Sequence, residues 1–318
     1  MSQYVLRRLA QLFPLIFGIT IVNYTIYALA PGDPVSAMIN PETMRLMSRA
    51  DLDTLREAMG LNKPVYVRYL IWLREALKGN LGWSTWLRLP VSQILARDIG
   101  NTLALMGFAL IFSTIGGIAL GILSALKPYS TLDYVLTGFA LGGVAIPGFF
   151  FALLLIHGVG LRLGWLPVGG IVTAGAPPSI VDRLLHMVLP AIALFYEGLS
   201  TLLPYTRSSM LEVVRQDYIT TARAKGLSER FVISRHAFRN TLLPIITITV
   251  LRLPSLVGGA VLIESVFNYQ GIGHTIVYAT TQRDYPLLMG GVLVTALIVL
   301  LSNLLADVAY ADPRIRYA

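Results

Sequence analysis

A chain of 318 residues has the length of one large or two ordinary soluble domains, but 55% of it is hydrophobic and only 13% charged, about half the ~25% charged share of a soluble protein. That composition excludes an ordinary soluble fold, and the lack of cysteine excludes a disulfide framework, a thiolate nucleophile or a Cys-ligated metal. The net charge of +8 and pI near 9.8 would raise nucleic-acid binding in a soluble chain, but short cytoplasmic loops of membrane proteins collect Lys and Arg, so no nucleic-acid partner is expected.

A bilayer core roughly 30 Å thick needs about 20 mostly apolar residues per helix. Six stretches qualify, at about 9–30, 101–126, 132–159, 184–206, 241–267 and 286–310, so the fold class is all-α: a polytopic membrane protein with six transmembrane helices. Arg7 and Arg8 precede the first apolar run. That run is too long for the ~7–15-residue core of a signal peptide, and it reads as a retained first helix. Residues 1–30 therefore form the N-terminus and first span, 31–98 a loop, 99–310 a five-helix core and 311–318 a tail.

The 31–98 loop carries its own helical pattern. Met44, Met47, Leu52, Leu55 and Met59 recur at helical spacing before Gly60, and Pro64 opens PVYVRYLIWLREALKG, which stops at Gly79. The spacing predicts a small helical cap. It serves either to pack on the membrane surface or to dock an external partner, and composition does not separate the two. All four tryptophans, Trp72, Trp83, Trp86 and Trp165, fall in expected outer loops, as interfacial residues do.

Within the second and third spans, Gly117 with Gly121 and Gly138 with Gly142 make small-xxx-small patterns that let helix backbones approach closely. Glu197 in the fourth span, with Arg252 and Glu264 in the fifth, place charge where it costs about 2.5–3.5 kcal/mol on insertion scales. Each is expected to face protein or water. Glu197 and Arg252, at similar depth, either pair with each other or line a translocation path, where they would meet the two charged termini of a peptide. Glu264 lies nearer the edge, with its function open. Pro244 and Pro254 are expected to bend the fifth span.

The segment DYITTARAKGLSERFVISRHAFRNTLLP, residues 217–244, concentrates basic residues in an otherwise oily chain. Asp217 is placed to cap a helix ending at Lys225 and Gly226, and Ser228 to cap a second. Such a loop suits either anionic headgroups or a groove on another protein. The ordered succession of cap, helix, glycine and cap favours the protein. Orientation follows from Lys and Arg in short segments: Arg7, Arg8, Lys127, the seven of 207–239, Arg314 and Arg316 lie on one side, and Arg162, Arg183 and Arg283 on the other. Twelve against three places both termini and the 207–240 loop in the cytoplasm, and the 31–98 loop outside.

No phosphate-loop, HExxH or G-x-S-x-G pattern occurs, and His157, His186, His236 and His274 are too dispersed to suggest a ligand set. No catalytic site, metal site or cofactor is expected in this chain. The 217–244 segment instead resembles the cytoplasmic loop of permease subunits of the dipeptide/oligopeptide/nickel ABC importer family. DYITTARAKGL and HAFRNTLLP stand at matching spacing, and the likeness continues through LRRL, APGDPV, GNLGWS, IPGFFFALLL, LPVGG, TRSSMLEV, IESVFNYQGIGH, RDYP and DPRIRY.

The resemblance implies a type I ABC importer permease fold, with Asp217, Tyr218, Ala222, Arg223, Ala224, Lys225 and Gly226 forming a coupling helix and its end. His236, Arg239 and Asn240 would brace the following helix. Thr220-Thr221-Ala222 stands where the broader importer consensus has Glu-Ala-Ala, which weakens any role for an acidic residue there. Also implied are a homologous second permease subunit, two cytoplasmic ATPase subunits that bind Mg-ATP, and an external solute-binding protein delivering peptides. Nickel or another small solute is the alternative cargo within the family. An ion-gradient-driven secondary transporter is the alternative outside it, with Glu197 as its one acidic candidate at depth.

Overall fold

A computed structural model describes residues 2–29, 47–58 and 61–311. Helices α1 (Ser2–Leu29), α2 (Arg49–Ala58), α3 (Val65–Leu77) and α4 (Val91–Leu126) are followed by α5 (Thr131–Ala145) and α6 (Gly148–Leu155), which continues as wide π turns over Ile156–Arg162. Then come α7 (Ile180–Val214), α8 (Asp217–Ala224), a short turn and π segment over 229–237, α9 (Phe238–Leu251), α10 (Leu253–Val266), α11 (Ile272–Gln282) and α12 (Tyr285–Ala311). Among the described residues there is no strand, only an isolated bridge between Trp83 and Pro90. Among the described residues four helices are long and apolar enough to cross a membrane, and up to six crossings result if each of two bent helix pairs counts as one. The expected Met44, Met59 and Gly60 of the loop helix, and 312–318 of the tail, lie outside the described residues.

Contacts divide the chain into two compact units. One contains the described residues of Leu6–Asn101 and Gln270–Ile298. Here both predicted loop helices form. Ser48 and Asp51 exchange hydrogen bonds at the start of α2, with the Asp51 amide donating to Ser48 Oγ at 3.2 Å and the Ser48 amide to Asp51 Oδ2 at 2.9 Å, a reciprocal capping box. Helix α3 packs on α1: Tyr24 meets Trp72 and Tyr69 at ring separations of 5.7 and 5.5 Å, and the Tyr69 and Thr20 hydroxyls share a hydrogen bond of 2.9 Å. Asn23 Nδ2 donates to the Met289 carbonyl at 3.0 Å. Asp284, fully buried before α12, accepts from the Ser84 hydroxyl and the Trp86 amide, fastening the 80–90 loop to that helix start.

The second span starts ten residues before the expected Asn101. Val91, Ile94 and Leu95 pack with Ala279 and Leu287, so α4 starts at Val91 and runs through Arg97 and Asp98. Hydropathy alone stops at those charges, but they pair locally. Helix α7 likewise continues past the expected end to Val214, because Arg207 is not a loop cation. Its Nε and Nη2 reach Asp133 at 2.6 and 2.7 Å.

That pair lies in the other unit, which includes Thr102–Tyr269. Asp133 is buried and also accepts from the Ser124 hydroxyl and the Tyr129 amide. The expected continuous third span is instead broken by 107° between α5 and the Gly148–Arg162 helix. Pro147 has no N–H to donate and pushes Ile146 into an extended conformation, with ψ 121°. The fifth span bends by 45° at Arg252, between Pro244–Leu251 and Leu253–Val266. Pro254, in the first turn of α10, leaves the Val250 carbonyl without its helical donor.

The glycine patterns serve close packing, with one revision. A Cβ on Gly117 would fall 2.5 Å from Leu202 Cβ, and one on Gly121 2.8 Å from the Leu203 carbonyl. In the α5 pattern Gly138 faces open space, and it is Gly143 that meets Ser200 on α7. Leu199 and Leu203 bury Ala140 beside it.

Gly121→Val is expected to cost the assembled protein about 1–3 kcal/mol through overpacking, while Gly138→Ala leaves the melting temperature unchanged. Thermal unfolding in detergent compares the two. Arg207→Met should cost several kcal/mol more than the Asp133→Leu/Arg207→Met double variant, because the single change strands a buried carboxylate.

Candidate functional site

The stretch Asp217–Ala224 forms a helix with two unlike faces. Ile219 and Ala222, three apart, fall on one side and are buried with Ala125, Met210, Val232 and Ala237. Asp217, Tyr218, Thr221, Arg223 and Ala224 stay exposed. Burial of this apolar stripe holds a short, polar helix that would not persist alone in water. Ala222 therefore anchors the helix to its own chain, and the small exposed residue is Ala224 alone.

The ends differ in detail from the sequence expectation. Gln216, not Asp217, occupies the N-cap, and Asp217 is the first helical residue, where its charge still faces the positive end of the helix dipole. Lys225 is the C-cap and Gly226 follows at φ +78°, the left-handed geometry that a residue without Cβ adopts at least cost. The Gly226 amide donates to the Arg223 carbonyl at 2.9 Å and Leu227 to that of Ala222 at 3.4 Å. Ser228 sits at the next N-cap position without a side-chain capping bond.

Across that glycine turn Arg223 grips Glu229 with two hydrogen bonds, Nη2 to Oε1 at 2.7 Å and Nε to Oε2 at 3.1 Å. The contact holds the Glu229 carboxyl below the ordinary 4.5 and raises the Arg223 pKa. A depressed acid stabilises above its unfolded pKa, so the clasp is complete at neutral pH and is lost as pH falls below that range. Both side chains are partly exposed, so the stabilisation is on the order of 0–1 kcal/mol. Its effect is geometric, fixing the angle between α8 and the following segment.

Of the trio His236, Arg239 and Asn240, it is the Asn240 side chain that makes a second link across the turn. Asn240 Nδ2 donates to the Tyr218 hydroxyl at 2.8 Å and to the His236 carbonyl at 3.0 Å. The His236 ring stands edge-on to Phe231 at 5.7 Å. Arg239 projects outward. The structure thus brings Tyr218, His236 and Asn240 together across 22 positions. Glu229 as the partner of Arg223 and Ile219 as the anchor escaped the sequence reading: a separation of six across a turn matches no helical spacing.

No direct ion pair joins Glu197 and Arg252, although the Glu197 charge still acts on the Arg252 guanidinium. Arg252 occupies the bend between α9 and α10, with Nη1 buried and lacking a hydrogen-bond partner, and it would meet a Cβ on Gly198 at 2.6 Å. Glu197 is exposed, its Oε2 lying 3.7 and 3.9 Å from where Cβ atoms on Gly148 and Gly259 would stand. Glu197 thus lies near Gly148, just after the break at Pro147, and Arg252 at the bend of the fifth span. Glu264 is fully buried and accepts from the Thr102 hydroxyl at 2.7 Å, which gives it a structural partner. Among the described residues no cluster of His, Asp and Glu has the makings of a metal site.

Residues 117–317 match the sequence model for binding-protein-dependent transport system inner membrane components, and residues 1–85 match the model for the N-terminal part of such proteins. The chain is 43% identical to the oligopeptide transport system permease protein AppB of Bacillus subtilis (strain 168), covering 100% of both chains. It is 42% identical to a putative peptide permease protein of Brucella suis biovar 1, over 99% of each. To the dipeptide transport system permease protein DppB of Escherichia coli (strain K12) it is 37% identical, over 100% of this chain and 99% of that one. Among solved structures, the inward-facing MetNI methionine ABC transporter superposes with a TM-score of 0.52 at 19% identity, covering 70% of this chain and 95% of that chain. That last likeness speaks to the fold alone.

Charge reversal at one end of the clasp, Glu229→Arg, is expected to lower transport several-fold without loss of assembled protein. Arg223→Glu/Glu229→Arg together should restore most of it. Uptake by reconstituted vesicles reads both, and failure of the double variant to recover while ATPase co-purification is normal would sink the geometric role.

Proposed function

This chain belongs to the binding-protein-dependent transport system inner membrane components, as a permease of the dipeptide/oligopeptide/nickel ABC importer family and a multi-pass protein of the bacterial inner membrane, and on that premise we propose that it forms half of a translocation path for peptides. A homologous permease subunit supplies the other half. Two cytoplasmic ATPase subunits bind Mg-ATP below, and an external solute-binding protein delivers cargo above. Both termini and the 207–240 loop face the cytoplasm, the 31–98 loop lies outside, and 99–310 is the transport core.

The observation that carries this reading is the two-faced helix Asp217–Ala224. Its inner stripe, Ile219 and Ala222, is packed onto Ala125 of α4, Met210 of α7 and Ala237 before α9. Its outer face offers Asp217, Tyr218, Arg223, Ala224 and Lys225 to a cleft on the ATPase. Anchored at one face and gripped at the other, the helix is a lever. When ATP draws the ATPases together, the displacement passes through that cluster and the Asn240–Tyr218 bond into three membrane-crossing elements at once. ATP drives the switch between inward-open and outward-open packings only to the extent that it binds one of them better. The broken helices supply the joints, at Pro147 and at Arg252.

Peptide is the cargo supported by the names of the full-length relatives. Glu197, near Gly148, and Arg252, at the bend of the fifth span, provide opposite charges for the termini of a zwitterionic peptide. A charge within a membrane span that faces neither a partner nor water would be unstable there.

Gly226→Val forces a β-branched residue into φ +78°, where open space rules out a clash. It is expected to disorder the helix end while leaving the spans intact. Ala224→Trp adds bulk to the outer face. Both should cut ATPase co-purification and peptide uptake at least several-fold, with unchanged membrane content of this subunit. Normal recovery of the ATPases with both variants would refute the lever.

A further inference from the structure

A cavity of about 280 Å3 opens in the unit that contains Leu6–Asn101 and Gln270–Ile298. Its lining includes the apolar Leu87, Leu89 and Ile94, together with Arg97, Gln270 and Tyr278, which carry hydrogen-bond donors. Arg97 is held by its neighbour Asp98. Its Nε donates to Asp98 Oδ1 at 2.8 Å, and the fully buried Asp98 receives the Thr275 hydroxyl on Oδ2 at 2.5 Å. Both Asp98 oxygens are thereby occupied, and the carboxylate serves as an anchor instead of an open acceptor.

The rest of the guanidinium is free. Its side chain is 57% exposed, and Nη1 and Nη2 have no partner among the described residues. The Tyr278 ring lies nearly parallel to His274, with centroids 6.3 Å apart at 21°, which sets the direction of the phenol. Burial lowers the His274 pKa, with Asp98 opposing, so the positive charge at the cavity rests on Arg97. A planar fork held at Nε and open at both Nη groups matches the two oxygens of a carboxylate.

We propose that this cavity is a binding site for a carboxylate borne next to an apolar group, as in the carboxy-terminal residue of a peptide. The carboxylate lies on the Arg97 fork with the Tyr278 hydroxyl as a further donor, and the apolar side chain rests on Leu87, Leu89 and Ile94. At about 280 Å3 the cavity is just below the roughly 300–1,000 Å3 of drug-sized sites, so it takes one residue and not a whole peptide. Identifying the carboxylate as cargo rests on the peptide-importer reading, whereas the site itself does not.

The test uses the intact transporter complex in nanodiscs, without binding protein, and N-acetyl-leucine against N-acetyl-leucinamide as probes in saturation-transfer NMR and titration. The acid should bind and the amide should bind about tenfold more weakly or not at all. Arg97→Gln and Tyr278→Phe should each weaken the acid, and Arg97→Lys should recover part of the loss. Tyr278→Phe and the acid–amide comparison remain decisive should Arg97→Gln fail to assemble. Equal binding of acid and amide, or acid binding unchanged in the variants, overturns the site even where peptide uptake is normal. Acid-selective binding in a complex that transports no peptide leaves the site standing and removes the importer reading. If Arg97→Gln weakens docking of the external binding protein while acetyl-leucine binding is unaltered, the carboxylate belongs to that protein and the proposal is refuted.

Discussion

The contact on which the rest of the molecule's working depends is the burial of Ile219 and Ala222 against Ala125, Met210, Val232 and Ala237. A helix of eight residues has too few internal hydrogen bonds to offset its own ordering. Withdrawing two apolar side chains from water is what makes this one persist, and the same burial decides which face is left for a partner. Because the buried stripe touches α4, α7 and the segment before α9, a push on the outer face is delivered to all of them. A basic loop tethered only at its ends would absorb such a push in its own dihedrals.

Two weak interactions refine that strong one. The Arg223–Glu229 clasp and the Asn240–Tyr218 bond are solvent-exposed and contribute little to stability, yet both cross the turn at Gly226 and limit the angle between helices. Thr220 stands where an acidic residue is usual in the broader importer family. Glu229, beyond the glycine, is the acidic residue that Arg223 of this helix engages. Rigidity here derives from the hydrophobic anchor, and alignment from polar contacts.

Inside the spans the chain handles charge in two ways. Asp133 with Arg207, and Asp98 with Thr275 and the Nε edge of Arg97, are satisfied at close range, so their helices continue through residues that would otherwise mark a boundary. Glu197 and Arg252 lie beside helix breaks, and the buried Nη1 of Arg252 has no partner. Paired charges hold the scaffold together. The unpaired ones stand at joints, where groups that meet a moving solute are needed.

Composition and periodicity by themselves determined that the chain is helical and membrane-spanning, where its six apolar stretches lie, that the loop after the first span carries helical segments, and that the 217–226 segment is a helix ended by glycine. These features depend on residues close in sequence: apolar length against bilayer thickness, i to i+4 spacing, and the φ that Gly226 allows. Only the tertiary structure decided that the third span is broken by 107° at Pro147, that Ala222 faces inward, that Arg223 is answered by Glu229 and Tyr218 by Asn240, and that Arg97 is turned toward a cavity by a buried Asp98. Each of those depends on which distant side chains share a low-dielectric neighbourhood, and that is a property of packing that local pattern does not encode.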